Sequence, residues 1–218
     1  MKKLHHFLRT TEGKFVGGFV IVIVLLLTYY FYMISNTTQA TDKIVTISET
    51  DHMRGNLSGT ITLVEFGDFQ CPACGSFEPI IRKVMEDNKD VLKFVFRHFP
   101  LTQIHQNALL AAKASEAASL QGKFWEMHDI IYDKQKEWSG GLNARDFFLT
   151  YATTIGLDTK KFTEDLNNEA IEKKILAEFK EGVELDVQGT PTFFVNGKKI
   201  DSPQNVEAFN KVIREAAK

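Results

Sequence analysis

The pair in Cys71-Pro72-Ala73-Cys74 sits where one periodicity gives way to another, and that junction limits the available folds more than any other feature. Upstream, Thr60-Ile61-Thr62-Leu63-Val64-Glu65-Phe66 is β-branched and apolar and stops at Gly67-Asp68, a strand pattern. Downstream, Phe77, Ile80, Ile81, Val84 and Met85 recur at helical spacing and predict a helix with one buried face. Val91–His98 then alternates and predicts a second strand. Strand, helix and strand at this spacing make a βαβ unit, whose parallel sheet needs cover on both faces.

The rest of the chain supplies that cover. Residues 105–185 carry almost no strand signal. His105–Leu120 is Ala-rich and strongly helix-forming, and Phe124–Gln135 continues with a stripe of Phe124, Trp125, His128, Ile131 and Tyr132. Gly140-Gly141 breaks the run. Arg145–Gly156 and Thr159–Asn167 read as short helices capped by Asn143 and Asp158, and Ala170–Glu184 as a longer one. Gly189–Val195 begins a third strand, and Asn196-Gly197 is a type I′ hairpin signal returning through Lys198–Ile200. Gln204–Ala217 closes the chain as a helix, and Ile44–Ile47 predicts a short edge strand. Strand, helix, strand, helical block, hairpin and helix is the order of an α/β thioredoxin fold with an inserted helical subdomain at about 105–185.

Ahead of this body, Phe15–Ile34 runs without a charge for twenty residues. As a helix that is roughly 30 Å, about the thickness of a bilayer hydrocarbon core. Tyr29, Tyr30 and Tyr32 gather at its far end, where amphipathic aromatics favour the membrane interface. Lys2, Lys3, Arg9 and Lys14 against Glu12 give residues 1–40 a net charge of +3, leaving −5 for the remainder of a chain totalling −2. A basic flank before the apolar run predicts a cytoplasmic stub at 1–14, a single transmembrane signal anchor at 15–34 and a linker at 35–43. The catalytic domain, 44–218, is then expected outside the cytoplasm. The apolar stretch exceeds a usual cleaved signal region, so an uncleaved anchor is expected. Disulfides persist in such a compartment. The mild net charge points to no nucleic-acid partner.

Two cysteines cannot build the framework of a small secreted scaffold, nor close a tetrahedral zinc site alone. At a helix start, however, Cys71 meets unsatisfied N–H groups and the positive end of the helix dipole, which favour its thiolate. Cys74, three residues on, is close enough to bridge. Pro72 is well tolerated in a first turn. The pair is therefore expected to cycle between dithiol and disulfide, with Cys71 attacking or attacked and Cys74 resolving. An inert structural disulfide, or half of a metal site completed by His98 or His105, are the competing readings. Glu65, late in a buried strand, would have a raised pKa and could relay a proton to or from Cys74; the competing reading is a rim carboxylate paired to a lysine. Thr190-Pro191 could hold a cis peptide beside the cysteines, leaving the Thr190 backbone to pair with an extended substrate.

On VEFGDFQCPACGSFEP at 64–79, FVFRHFPL at 94–101, AAKASEAASLQGKFWEMHDIIY at 111–132 and GTPTFFVNG at 189–197, the chain resembles the DsbA-like family of thioredoxin-fold disulfide oxidoreductases, in its membrane-anchored form. The resemblance implies that Cys71 and Cys74 are the catalytic, disulfide-forming pair, with Pro72 and Ala73 between them. It maps the family's acidic relay onto Glu65, its cis-proline pair onto Thr190 and Pro191, and a further site acid onto Glu78. It implies unfolded exported proteins with reduced cysteines as substrates, a quinone-linked membrane reoxidase as partner, and no cofactor beyond the dithiol and no metal. The best-known members carry histidine where this chain has Ala73. Losing that donor and charge predicts a less oxidising disulfide, with a potential above thioredoxin's and below the strongest oxidants. An exported reductase or isomerase, or a metal-binding chaperone, would use the same pair.

Overall fold

The computed structural model describes residues 11–37 and 43–218. Two compact units divide at Lys43. The first holds a single helix, α1 (Thr11–Thr37), 27 residues long. Its described side chains, Phe19 and Ile21–Met33, are all exposed. That described stretch is not by itself long and apolar enough to cross a membrane. The ends of the expected 15–34 span, the whole 1–14 stub and most of the 35–43 linker lie outside the residues whose side chains are described.

The second unit is built on one five-stranded sheet in the order β1-β3-β2-β4-β5. β1 is His52–Gly55, β2 Ile61–Gly67, β3 Leu92–His98, β4 Thr192–Val195 and β5 Lys198–Ile200. β2 and β3 run parallel, in register from Ile61↔Leu92 to Gly67↔His98, joined by α2 (Pro72–Asp87). The remaining pairs are antiparallel. As expected of a central parallel strand, β2 buries both faces. Ile61 and Leu63 enter one hydrophobic cluster, with Ile81 and Val84 of α2, while Val64 and Phe66 enter another, with Phe194 and Phe99. This alternation puts Glu65 on the α2 side of the sheet.

Between β3 and β4 the expected helical block is present: α3 (Ala108–Ser119), α4 (Phe124–Asp133), α5 (Gln135–Trp138), α6 (Ala144–Thr154), α7 (Thr159–Asp165) and α8 (Glu169–Glu184). α9 (Val206–Ala216) ends the chain and packs on α2. Asn196 and Gly197 both have positive φ, 48° and 83°, as a type I′ turn requires.

Two expectations fail locally. Ile44–Ile47 is not a strand. Val45 makes one backbone bond, to the Gly197 carbonyl, while the Thr46 carbonyl is taken by the buried Arg97 guanidinium, which also grips Asp51. A side chain thus satisfies what a ladder would have used. The edge place belongs instead to β1, whose His-Met-Arg-Gly carries no alternation of apolar residues. Asn143 also makes no side-chain cap, whereas Asp158 accepts from the N–H groups of Lys160 and Lys161. Asp158→Ala should therefore cost about 1 kcal/mol, and Asn143→Ala a few tenths. Denaturant midpoints of the two variants check this; equal losses would refute the difference in capping.

Candidate active site

Cys71 ends the loop leaving β2 and is the N-cap of α2, with extended backbone (φ −66°, ψ 121°) and no side-chain cap. Its N–H donates to the Asp68 carbonyl at 3.0 Å and its carbonyl accepts from Gly75 at 3.2 Å, which starts the helix. Pro72, whose missing N–H would have been unsatisfied there, is the first helical residue. Cys71 keeps 8% exposure and Cys74 1%; both are free thiols. Pro72 and Ala73 between them are exposed. The expected division of labour is thus matched by access: only Cys71 borders solvent.

Electrostatics separate the two sulfurs. Cys71 is lowered to about 5, first by the hydrogen bond from the Cys74 thiol, then by the Thr190 side chain and the backbone N–H groups of Cys74 and Ala73, against the opposing effect of burial. Cys74 is raised well above its ordinary range by burial, by its donation to Cys71 and by the nearby Glu65 charge. Glu65 is likewise pushed well up, by burial and then by the Glu78 charge, with Arg54 opposing. A carboxyl and a resolving thiol that both hold their protons more tightly than usual therefore lie behind a nucleophile that gives up its proton more easily than usual. The rim carboxylate paired to a lysine is ruled out for Glu65, which is 2% exposed.

The Thr190-Pro191 peptide is cis. In the thiol form the Cys71 Sγ–H donates to the Thr190 carbonyl at 3.3 Å. The Thr190 hydroxyl is buried with no hydrogen-bond partner. An ionised Cys71 sulfur can only accept, and this hydroxyl is a free donor among the groups that lower its pKa.

Glu78 is buried on α2 and paired with Arg54 (3.1 Å) and Arg82 (2.8 Å), so it acts on Glu65 through its charge. His98 and His105 do not join the cysteines. His98 Nε2 faces Glu116 at 2.9 Å, and His105 Nδ1 faces Asp68 at 2.7 Å. Among the described residues, the clusters with metal-ligand spacing are His52–His98–Glu116 and Glu78–His128–Asp129, and neither includes a cysteine. In the first, Lys174 Nζ already lies 2.7 Å from the shared Glu116 oxygen, an internal cation.

Sequence reasoning missed the groups that hold the catalytic loop. Asp68 accepts from Gln70 N (2.8 Å) and Leu101 N (2.9 Å) besides facing His105. Gln70 accepts from Asn107 N and donates to the Ser139 carbonyl, both at 2.6 Å. Gln135 donates to the carbonyls of Phe69 and Cys71. Asp68 and Gln70 adjoin the motif and could have been flagged; nothing local marks Gln135.

The chain has relatives among known proteins. The chain is 41% identical over 166 residues to the Na(+)/H(+) antiporter NhaA 3 of Salinispora tropica, covering 76% of this chain and 24% of that protein. It is 32% identical over 169 residues to the Na(+)/H(+) antiporter NhaA of Herminiimonas arsenicoxydans, covering 76% and 25%. The chain thus spans about a quarter of the length of these curated relatives. Among solved structures, it is similar to oxidised BdbD from Bacillus subtilis, with a TM-score of 0.67, 24% identity, and coverage of 76% of this chain and 92% of that one. It is also similar to alpha-DsbA1 of Wolbachia pipientis, with a TM-score of 0.70, 21% identity, and coverage of 79% and 93%. At these identities the likeness establishes the shared fold. The thioredoxin family model matches residues 47–215, most of the second unit, and the chain belongs to the thioredoxin family.

Proposed function

We propose that this chain is an exported thiol:disulfide oxidoreductase that passes a Cys71–Cys74 disulfide to cysteines of unfolded exported proteins. The observation that carries the reading is the separation of the two sulfurs: an acidic, solvent-bordering Cys71 at a helix start, and a buried, hard-to-ionise Cys74 beside a protonated Glu65. In the first step a substrate thiolate attacks Cys71 Sγ. The Cys71–Cys74 bond breaks, its electron pair goes to Cys74, and Glu65 is the neighbouring group able to supply the proton. In the second step another substrate thiolate attacks the substrate sulfur of the mixed disulfide and expels Cys71 as its stabilised thiolate. Substrate leaves with a disulfide and the protein is left as the dithiol. No bound cofactor enters; a quinone-linked membrane partner would restore the disulfide, as the family resemblance implies.

The charge-free run at 15–34 and its basic flank support anchoring in a membrane, with the domain from residue 44 outside the cytoplasm. The ion exchange named for the antiporter relatives is not carried over, because the match covers about a quarter of each.

The test is to mix oxidised full-length chain with a reduced, unfolded protein and follow disulfide formation, alongside a redox titration against glutathione. Rapid oxidation and a potential above thioredoxin's are expected. A potential at or below thioredoxin's would instead make the chain a reductase. Glu65→Gln, which keeps the shape but cannot release a proton, should slow disulfide transfer by tens-fold to about a hundredfold. Transfer at the unaltered rate would remove Glu65 from the proton path.

A further inference from the structure

We infer that Gln135, in the inserted helical block, is the positioning residue of the Cys71 nucleophile, and that residue 75 is glycine because Gln135 occupies the space its side chain would fill. The inference deepens the functional reading above and rests on it.

Gln135 opens α5 and reaches back across 64 residues of sequence to the catalytic loop. Its Nε2 donates to the Phe69 carbonyl at 2.8 Å and to the Cys71 carbonyl at 2.8 Å. A primary amide has two N–H donors, and both are spent here. Phe69 and Cys71 flank Gln70 at the bend between β2 and α2, so one side chain ties both sides of that bend. The Cys71 carbonyl also accepts from Gly75 N, which fills its two lone pairs.

The held carbonyl matters because Cys71 has no side-chain cap to fix it. Its orientation is set by ψ of Cys71, the same rotation that sets where the next N–H groups lie relative to Cys71 Sγ. The backbone N–H groups of Ala73 and Cys74 are among the donors to that sulfur. Without Gln135 the carbonyl keeps only its Gly75 bond, and those donors are less firmly aimed.

Gly75 supplies the complementary observation. A Cβ there would lie 2.5 Å from Gln135 Oε1, 2.9 Å from its Cδ and 3.0 Å from its Nε2. Gly75 lies within α2 and its φ is outside the left-handed region, so the backbone itself would accept alanine. Alanine is the better helix former, so glycine here runs against propensity. The atoms in the way are the far end of a flexible side chain. Alanine at 75 should therefore displace the amide and leave the helix intact.

The experiment uses the full-length chain, reduced, with Cys71 ionisation followed by thiolate absorbance against pH and the potential measured against glutathione. Gln135→Ala and Gly75→Ala should each raise the Cys71 pKa by about one unit. Each should shift the glutathione equilibrium about tenfold toward the disulfide, roughly 30 mV. The double variant should shift no further than either single one, since both remove the same contact. A residue that merely packs would change thermal stability and leave both readouts where they were. If Gln135→Ala folds poorly, Gly75→Ala carries the test. Unchanged pKa and potential in the variants, against an acidic wild-type Cys71, would overturn the clamp alone. A wild-type Cys71 that ionises like an ordinary thiol would overturn the functional reading instead, before any variant is compared.

Discussion

Replacing Cys74 by serine should leave a protein that captures substrates and releases them only when a second substrate thiol attacks, while replacing Cys71 should abolish capture altogether. Cys71 is the sulfur that borders solvent and is held as thiolate, and Cys74 is buried and protonated. A mixed disulfide therefore forms at Cys71. In the wild-type chain Cys74, one helical turn away, can cut any such adduct by an intramolecular attack that no dissolved thiol matches in effective concentration. Serine keeps the size and removes the attack. With Cys71 pre-activated by an aromatic disulfide and a test protein carrying a single reduced cysteine added in stoichiometric amount, Cys74→Ser should hold at least about tenfold more covalent adduct than wild type. The adduct should be visible on a non-reducing gel and lost on adding dithiothreitol. Cys71→Ser should show none under the same activation, because the remaining thiol is both buried and hard to ionise. Equal adduct from the two variants would mean that access and ionisation do not separate the sulfurs, and the proposed order of steps would fall.

Much of this was legible in the sequence because it is local. A strand pattern meeting a helix pattern at Cys71-Pro72-Ala73-Cys74 fixes the nucleophile at a helix start whatever else the fold contains. The β-branched, apolar run from Thr60 to Phe66 is enough to predict a buried strand with Glu65 late in it, while the face that Glu65 takes comes from the packing. The Asn196-Gly197 turn is written in a single dipeptide, whereas Thr190-Pro191 only permits the cis bond that the structure shows. What escaped was long-range and polar. Gln135 marks no periodicity and adjoins no motif; its role exists only because the inserted helices bring it to Phe69 and Cys71. Gly75 reads as an ordinary helix imperfection until the amide beside it is seen. The Ile44–Ile47 strand failed for a related reason. Its apolar, β-branched residues are right for a strand, but Arg97, whose destination no local pattern reveals, claims the Thr46 carbonyl.

The second large effect is one of pH. At pH 5 about half of Cys71 is thiolate, whereas an ordinary thiol near 8.5–9 is ionised to less than about one part in a thousand. At pH 8.5 both are substantially ionised. The rate of alkylation of Cys71 relative to a cysteine in an unstructured peptide should therefore fall about a thousandfold between pH 5 and pH 8.5. The size of that fall is independent of two other influences. Burial slows Cys71 by a factor that does not vary with pH, and the weaker nucleophilicity of an acidic thiolate lowers its rate by another constant factor. Near neutrality those factors nearly cancel the gain in ionisation, so a single measurement at pH 7 would miss the effect that the profile reveals. The same ionisation is linked to folding. A thiol whose folded pKa is depressed stabilises the reduced protein above its unfolded pKa, and that contribution is lost as pH falls toward 5. Cys74 and Glu65, both raised, act in the opposite sense: their contributions are full below their unfolded pKa values and are lost as pH rises. Glu65 is present in both redox states and differs between them only through its coupling to the cysteine charges, so the stability gap between reduced and oxidised protein chiefly reports the cysteines. That gap should widen in favour of the reduced form from pH 5 up to the ordinary thiol range and then turn over, as unfolded Cys74 ionises while folded Cys74 stays protonated. Denaturant midpoints of the two redox forms across this range check it. A gap independent of pH, or an alkylation rate climbing tenfold per pH unit through pH 8, would show that Cys71 is not held as the thiolate.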